Sequence, residues 1–377
     1  MAKSYDIAVI GAGIAGASAA AEMAAEARVL LLEMEAQPGY HTTGRSAALF
    51  SKTYGPKPIR ALSRASEAFY LDPPEGFSDT PLLQPRGTLF LVRPDQGEAA
   101  EAFVRDLGPG AAISRIPPPR AAELLPLLRP EYLAEAICDD EAQDIDVDAL
   151  HQGYLRRFRA LGGTLTCDAG LTALAPDGAG WRLTTRVGEI RAAAVVNAAG
   201  AWADQVAVLA GLAPAPITPK RRTALIVAAP EGIDPSPWRM AVDVEERFYL
   251  KPEAGKLLIS PADETPSEPC DAQPEELDIA LCVDRIERAF DLSVRRIEHK
   301  WAGLRSFARD KCPVIGFDPR APGFFWLAGQ GGYGIQSAPA AGRVAAALAL
   351  GRDLPADVVD QGLETATISP ARLAGRG

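Results

Sequence analysis

The 377-residue sequence has few of the residues that build metal sites or disulfide frameworks. It contains five cysteines and three histidines. No two cysteines have the CxxC spacing of a zinc or redox motif, and an odd number of thiols cannot all pair within one chain. We therefore predict no metal site and expect reduced thiols, as in a cytoplasmic protein.

Positive charge and long apolar runs are also scarce. Lysine and arginine number 39 against 49 acidic residues, which gives a net charge of -10. This balance argues against nucleic acid as a partner, because nucleic acid is bound by a basic face. We expect no signal peptide and no transmembrane segment, since residues 344–350, the closest candidate, fall far short of the roughly 20 apolar residues that span a bilayer. Peripheral contact with a membrane stays open.

What the sequence does contain is a nucleotide-binding pattern at its start. Residues 5–33 predict a strand, the turn GAGIAG (residues 11–16), an alanine-rich helix and a second strand that ends on Glu33. In such a unit a pyrophosphate lies at the helix N-terminus, and the terminal acid accepts hydrogen bonds from a ribose. A carboxylate at Glu33 would repel a 2'-phosphate. The pattern therefore favours FAD or NAD over NADP and does not decide between the first two.

The remaining pattern predicts an α/β protein of two domains, in keeping with its length. A Rossmann-like cofactor domain would comprise residues 1–80, 145–215 and 303–377. A second domain, built on a mostly antiparallel sheet, would comprise residues 81–144 and 216–302. The chain would thus leave the cofactor domain twice and return twice.

Two arginines have the chemistry of a carboxylate site. Arg222 ends a basic cluster that enters a predicted strand, and Arg305 lies within an apolar strand, where an unpaired charge would be costly. A guanidinium group donates two parallel hydrogen bonds to a carboxylate. Each arginine could equally form a salt bridge with an acid of the protein, and the sequence leaves both interpretations open.

Motifs spread over nearly the whole chain resemble the FAD-dependent amine and amino-acid oxidoreductases of the D-amino acid oxidase/glycine oxidase group. They are GAGIAG (11–16), TGRSAA (43–48), VVNAAGAWAD (195–204), WAGLRSF (301–307) and AGQGGYGIQ (328–336). Within this group the sequence is most similar to bacterial D-arginine dehydrogenases. The motifs are specific for the family and less so for the substrate.

The resemblance implies FAD as a non-covalently bound cofactor. Cys312 stands in a turn that resembles that of the non-covalent members, so we expect no thioether link. The residues that would hold FAD are Gly11, Gly13, Ile14, Ala15, Gly16, Glu33, Met34, Thr42, Thr43, Gly44, Arg45, Ser46, Ala47, Ala199, Gly200, Trp202, Gly303, Gly331, Gly334, Ile335 and Gln336.

The resemblance also implies a substrate site. Arg222 and Arg305 would bind the substrate carboxylate, Tyr54 and Tyr249 would close over it, and the Gly332 carbonyl would lie near the amine. The side-chain pocket would be lined by Leu49, Thr88, Met240, Val242, Tyr333 and Gln336.

Two positions depart from the D-arginine dehydrogenase pattern. Thr88 replaces the glutamate that pairs with the substrate guanidinium, and Leu49 replaces a histidine. The resemblance implies oxidation of a D-amino acid to a 2-oxo acid and ammonia by hydride transfer to flavin N5. Because of the two departures, we expect neutral or hydrophobic D-amino acids to be preferred.

Several points stay open at the level of the sequence. The proton acceptor is water or Tyr54, and the electron acceptor is oxygen, a quinone or another oxidant. Two other readings share the motifs: a glycine or sarcosine oxidase that uses oxygen, and a flavin- or NAD-binding protein without turnover. We expect a monomer.

Overall fold

The computed structural model of the protein describes residues 3–373. Residues 1–2 and 374–377 of the predicted cofactor domain lie outside the described residues. The strands, in chain order, are β1 (Lys3–Ile10), β2 (Val29–Leu32), β3 (Leu49–Phe50), β4 (Leu83–Pro85), β5 (Thr88–Val92), β6 (Ile113–Ile116), β7 (Glu135–Asp139), β8 (Gln143–Ile145), β9 (Thr164–Thr166), β10 (Leu171–Asp177), β11 (Gly180–Thr185), β12 (Gly188–Asn197), β13 (Thr218–Val227), β14 (Met240–Asp243), β15 (Tyr249–Glu253), β16 (Lys256–Ser260), β17 (Ile297–Phe307), β18 (Val314–Phe317), β19 (Phe324–Ala328) and β20 (Gln330–Gly331).

The helices lie between these strands and after the last of them. They are α1 (Ile14–Met23), α2 (Lys57–Leu71), α3 (Gly97–Leu107), α4 (Pro118–Leu124), α5 (Val147–Ala160), α6 (Ala203–Leu209), α7 (Glu276–Ala289), α8 (Gly334–Ala349), α9 (Ala356–Asp360) and α10 (Thr365–Ile368). Short 3-10 turns occupy Thr43–Arg45, Pro130–Tyr132, Gly200–Trp202 and Pro370–Leu373. No helix among residues 3–373 has both the length and the apolar character to cross a membrane.

The first sheet is built around β1. Its strands follow the order β10-β11-β12-β1-β2-β9, with β19 pairing along the second half of β12 and β18 pairing with β19. Strands β12, β1, β2 and β9 are parallel, and α1 makes the crossover from β1 to β2. Every residue of β2 is buried, as expected for a parallel strand covered on both faces. This is the predicted Rossmann-like unit.

The second sheet is larger and mostly antiparallel. Its order is β20-β17-β13-β16-β15-β14-β5-β7-β6, and among its pairs β14–β5 is parallel. Helix α7 covers one face, where Cys282 and Ile286 pack against Leu225, Leu250 and Ile259. The opposite face of β13 and β17 carries Arg222, Gly303 and Arg305. A small third sheet has the order β3-β8-β4.

Three local features follow from the residues at turns and caps. Asp146 caps α5, its Oδ1 accepting a hydrogen bond from the Ala149 amide at 2.9 Å. Strands β15 and β16 form a hairpin that turns at residues 254–255. Strands β4 and β5 follow each other closely but belong to different sheets, because the chain turns at Gly87 with a φ of 69°.

The α/β class with a second, mostly antiparallel sheet is confirmed. The boundaries of the two domains stay predictions. The one placed between residues 302 and 303 falls inside β17, which belongs along its whole length to the second sheet.

His151 connects α5 to the glycine-rich turn after β1. Its side chain is buried, and Nε2 lies 2.8 Å from the carbonyl oxygen of Ala12, to which it donates when that nitrogen carries the proton. Burial lowers the pKa of His151, so the folded protein holds this ring neutral.

This burial predicts a loss of stability in mild acid. Below the ordinary histidine pKa of about 6.5, the unfolded chain takes up a proton that the folded chain excludes, so protonation favours unfolding. Thermal unfolding between pH 5 and 8 should show the melting temperature falling as the pH falls through that range. His151→Gln should reduce this slope, and His299→Gln, which alters an exposed ring stacked on Trp301, should leave it unchanged. An equal slope in wild type and His151→Gln would contradict the prediction.

Candidate functional site

A cleft of about 360 Å³ runs along the carboxyl ends of β1, β2 and β12 and past the middle of β17. The carboxyl edge of a parallel sheet is where α/β folds place ligands. One end of the cleft is lined by Glu33 and Met34, and the other by Arg222, Tyr249 and Arg305. The cleft therefore joins the predicted ribose site to the predicted substrate site.

The glycine-rich turn forms the wall of the cleft where α1 begins. Gly11 has a φ of 99°, and a Cβ there would lie 2.5 Å from the carbonyl oxygen of Ala198, so the position requires glycine. Ala12 donates its amide hydrogen to Glu33 Oε2 at 3.0 Å. The Ile14 amide donates to Thr43 Oγ1 at 3.0 Å, so the amides of Ala15 and Gly16 are the first-turn groups of α1 that can face an anionic ligand.

The loop that follows Glu33 is fastened to β17. Thr42 Oγ1 donates to the Leu304 carbonyl at 2.7 Å, and the Trp301 indole donates to the Arg45 carbonyl at 3.0 Å. The Arg45 guanidinium donates to the Ala302 carbonyl at 3.0 Å and forms an ion pair with Asp271. This loop, which follows β2 of the first sheet and lines the cleft, is thus bonded directly to β17 of the second sheet.

Most of the residues predicted to bind the cofactor line this cleft. They are Gly11, Gly13, Ile14, Ala15, Glu33, Met34, Thr42, Thr43, Arg45, Ser46, Ala47, Ala199, Gly200, Trp202, Gly303, Gly331, Gly334 and Ile335. Three lie elsewhere. Gly16 packs against the Gly11 carbonyl, Gly44 donates its amide hydrogen to the Gly39 carbonyl at 2.8 Å, and Gln336 lines the neighbouring cavity.

A second cavity of about 70 Å³ adjoins the arginine end of the cleft. At 10–15 Å³ for each water, this volume holds roughly five to seven waters, which is the scale of a small metabolite. The predicted residues that line it are Leu49, Tyr54, Thr88, Arg222, Met240, Val242, Tyr249, Arg305, Gly332 and Gln336. Tyr333 lies outside this lining; its ring packs edge-on behind Tyr54 with centroids 4.8 Å apart.

Strand register brings the two arginines to the same face of the second sheet. Arg222 of β13 lies opposite Gly303 of β17, so Arg305, two residues further on, is its diagonal neighbour. Arg222 is 7% exposed and faces Glu264 at 3.5 Å, while its Nε has no hydrogen-bond partner among the described residues. Arg222 is thus partly paired with an acid of the protein, the interpretation that the sequence left open.

Arg305 differs from Arg222 in its partners. Its Nη1 lies 3.4 Å from the hydroxyl of Tyr54, and no carboxylate of residues 3–373 lies within ion-pair distance of the guanidinium. Gly332 approaches so closely that a Cβ there would be 2.7 Å from Nη1, so a larger residue would displace the guanidinium group. Arg305 is therefore a partly buried cation with room for an anion in front of it.

The charges around Tyr54 set its protonation state. Burial raises the pKa of the phenol, the charge of Glu246 raises it further, and the nearby Arg305 and Arg222 oppose both effects only in part. Tyr54 is consequently a neutral phenol at neutral pH. It can donate a hydrogen bond, but it is not a base there.

Glu246 is a residue of this cavity that the sequence analysis missed. It lies in the turn between β14 and β15 with a φ of 56°, a left-handed conformation that glutamate rarely adopts. Buried Asp243 supports the turn by accepting hydrogen bonds from the amides of Glu245 and Arg247. No motif marks Glu246, because glycine or asparagine is the usual signal for this conformation. The pocket therefore contains one acid, Glu246, although Thr88 replaces the glutamate of the D-arginine dehydrogenase pattern.

The three histidines, all within the described residues, lie away from the second cavity. His41 lines the cleft and pairs with Glu35 at 2.9 Å, His151 supports the glycine-rich turn, and His299 stacks on Trp301. The ribose end of the cleft has further residues that carried no motif, among them Thr172, Arg186 and Gln205.

Comparison with known proteins agrees with this geometry. Residues 6–348 match the family described as "DAO: FAD dependent oxidoreductase". The chain is 24% identical to "FAD-dependent oxidoreductase domain-containing protein 1" of Bos taurus, covering 92% of this chain and 81% of that protein. It is 25% identical to glycine oxidase of Geobacillus kaustophilus (strain HTA426), over 92% of this chain and 93% of that one.

Solved structures show the same fold. The crystal structure of Geobacillus kaustophilus glycine oxidase superposes with a TM-score of 0.84 at 23% identity, covering 99% of this chain and all of that one. The FAD-bound L-alpha-glycerophosphate oxidase of Mycoplasma pneumoniae superposes with a TM-score of 0.82 at 17% identity, over 92% of this chain and 95% of that one. The chain therefore has the same two-domain α/β fold as glycine oxidase.

The cleft itself fits FAD. Gly13, without a side chain, lines the cleft at the start of α1, Glu33 lies where an adenosine ribose needs an acceptor, and the cleft extends from there to the arginines. The chain belongs to the DAO family of FAD-dependent oxidoreductases, with FAD as its cofactor.

Proposed function

We propose that this protein oxidises neutral D-amino acids to 2-oxo acids and ammonia. The observation that carries the proposal is Arg305, a partly buried cation that has no carboxylate partner among residues 3–373 and lies where the cofactor cleft meets the second cavity. A buried charge without a partner is costly, and a substrate carboxylate would provide that partner. An amino acid held there would have its α-carbon at the junction and its side chain in the second cavity.

The protein's share of the reaction is binding and orientation. Arg305 and Arg222 hold the carboxylate from one sheet face, Tyr54 donates a hydrogen bond near it, and the Gly332 carbonyl accepts one from the amine. FAD, when bound, would accept the hydride lost from the α-carbon, and water would then hydrolyse the resulting imino acid to the 2-oxo acid and ammonia. The amine must give up a proton before the hydride is lost. Tyr54 is a neutral phenol and no histidine lines the cavity, so water and the Glu246 carboxylate are the groups that can take this proton.

The walls of the second cavity favour neutral substrate side chains. Leu49, Phe90, Met240 and Val242 are apolar, and Thr88 supplies a hydroxyl without charge. Glu246 adds one carboxylate, whose negative charge acts to raise the pKa of both Tyr54 and Arg305. We propose that it balances the two arginines rather than selecting a cationic substrate. The preference between neutral and cationic amino acids tests this assignment.

A second candidate function is oxidation of glycine or a small N-alkyl glycine. Two observations favour it, the small volume of the second cavity and the similarity to glycine oxidase. We keep oxygen or a quinone as the electron acceptor, a cytoplasmic location and a monomeric state as predictions.

The first test is an anaerobic titration of the purified protein, followed by the visible spectrum of FAD. D-Leu, D-Phe and other neutral D-amino acids should bleach the flavin absorbance, with L-enantiomers as matched controls. Weak bleaching by D-Arg would support a balancing role for Glu246, and D-Arg as the best substrate would contradict it. Reduction by glycine or sarcosine alone would establish the second candidate instead.

Conservative changes at the arginines should have unequal effects. Arg305→Lys keeps the charge and loses the two-pronged geometry, and a hydrogen bond to a charged group contributes about 1.5–3 kcal/mol. We expect kcat/KM to fall about 10- to 100-fold for Arg305→Lys, and less for Arg222→Lys, because Arg222 shares its guanidinium with Glu264. Steady-state kinetics with the best substrate measure both, and the FAD content of each variant is the control. A larger loss at Arg222 would contradict the assignment.

Thr88 should make kcat/KM depend on the polarity of the substrate side chain. Its hydroxyl is buried in the wall of the second cavity and has no partner among residues 3–373. Thr88→Val keeps the shape and should leave the melting temperature unchanged or higher, since no bond is broken. The ratio of kcat/KM for D-Val to that for D-Thr, two substrates of one shape, should rise about tenfold in the variant. An unchanged ratio would show that the hydroxyl does not contact the substrate.

A further inference from the structure

A buried carboxylate stands at the end of β7, beneath the chain segment that carries Tyr54. Asp139 is 2% exposed. Its Oδ2 accepts hydrogen bonds from Ser51 Oγ at 3.0 Å and Thr53 Oγ1 at 2.8 Å, and its Oδ1 accepts one from the Glu141 amide at 3.1 Å. Both hydroxyls come from residues within three positions of Tyr54.

No cation of residues 3–373 lies within ion-pair distance of Asp139. A buried carboxylate without a counter-ion is stable only while its oxygens accept hydrogen bonds. The two hydroxyls are also 2.8 Å apart, and the Thr53 amide donates to Ser51 Oγ at 3.2 Å, so they form one connected group. Displacing the segment would leave Asp139 with unsatisfied oxygens, and this cost keeps the segment in place.

The same segment is held from the other side by α8. Gln336 Oε1 accepts a hydrogen bond from the Ser51 amide at 3.3 Å, and its Nε2 donates to the Tyr54 carbonyl at 3.4 Å. Lys52, whose side chain is partly exposed, pairs with Glu141 at 2.9 Å and adds little, as exposed ion pairs do. The buried contacts therefore fix residues 51–54 between the second sheet and α8.

We propose that Asp139 is a positioning residue that holds Tyr54 against the substrate site at Arg305. Asp139 is absent from the lining of both cavities, so it acts through the segment rather than on the substrate. Asp139 holds Ser51 and Thr53 through their hydroxyls, and these two residues fix the position of the adjacent Tyr54. The Tyr54 hydroxyl lies 3.4 Å from Arg305 Nη1. The catalytic part of this inference rests on the proposed function, and the structural part does not.

Asp139→Asn tests the catalytic part, because it keeps the shape and removes the charge that strengthens both hydrogen bonds. We expect KM for the amino acid to rise about tenfold with a smaller change in kcat, since substrate binding is what the segment supports. In a Tyr54→Ala background the same substitution should have no further effect on KM. Asp140→Asn is the matched control, for its neighbouring carboxylate is 64% exposed and pairs with Arg239. An additive effect in the Tyr54→Ala background would overturn the proposal.

Hydrogen–deuterium exchange of the holoenzyme tests the structural part without any substrate. Amides in peptides covering residues 50–56 should exchange faster in Asp139→Asn than in wild type or Asp140→Asn, with other regions unchanged. Thr53→Val, which removes one hydroxyl at constant shape, should show the same local increase if Asp139→Asn does not fold. Unchanged exchange in the folded variants would overturn the anchoring role even if amino acids reduce the flavin. Faster local exchange in a protein that no amino acid reduces would uphold the anchor and reject the proposed function.

Discussion

The pairing of β13 with β17 places Arg222 and Arg305 where the cleft meets the second cavity. Ten residues of β13 pair with β17, and this register puts Arg222 opposite Gly303 and Arg305 on the same face. Because side chains alternate along a strand, a slip of β13 by one residue against β17 would turn Arg222 toward α7 and separate it from Arg305. Arg221, which now pairs with Glu275 and Asp278 on the α7 side, would then meet the cleft. The burial pattern of both faces therefore enforces the register.

The charged groups at the site are not balanced by one-to-one ion pairs. Arg222 pairs with Glu264, Arg305 faces the Tyr54 hydroxyl and lies in the field of Glu246, and Asp139 accepts hydrogen bonds from two hydroxyls and one amide. Buried ions that lack close partners cost stability, and proteins retain them where binding or orientation requires them. Here the unpaired cation and the hydroxyl-bound carboxylate lie at the two ends of one segment, residues 51–54. A ligand carboxylate would pair with Arg305 and leave the hydrogen bonds of Asp139 unchanged.

The sequence predicted those parts of the site that depend on local pattern. The GAGIAG turn, Glu33 and the loop over residues 42–46 belong to one continuous stretch, and their geometry follows from glycine conformations and the strand–helix–strand order. Arg305 could be singled out because a charge in an apolar strand is unusual. The family resemblance then supplied Tyr54, Tyr249 and Gly332.

The parts that the sequence did not predict depend on contacts between distant segments. Glu246 enters the pocket because Asp243 and its neighbours hold a turn that glutamate does not itself favour. Asp139 meets Ser51 only after β5, β6 and β7 have joined the second sheet, 88 residues away along the chain. Neither position has a distinctive residue type or spacing, because adjacent acids such as Asp139-Asp140 and Glu245-Glu246 are common on protein surfaces. Tertiary structure alone gives these acids their environment.

The bonds between the Thr42–Ser46 loop and β17 link ligand affinity to the integrity of the second sheet. Thr42, Arg45 and Trp301 tie that loop to a strand of the other sheet, and Arg45 extends the tie to Asp271. A ligand that holds the loop in place stabilises the strand, and by thermodynamic reciprocity a loosened second sheet lowers affinity for that ligand. A substitution that loosens the second sheet away from the cleft would therefore also weaken the binding of FAD.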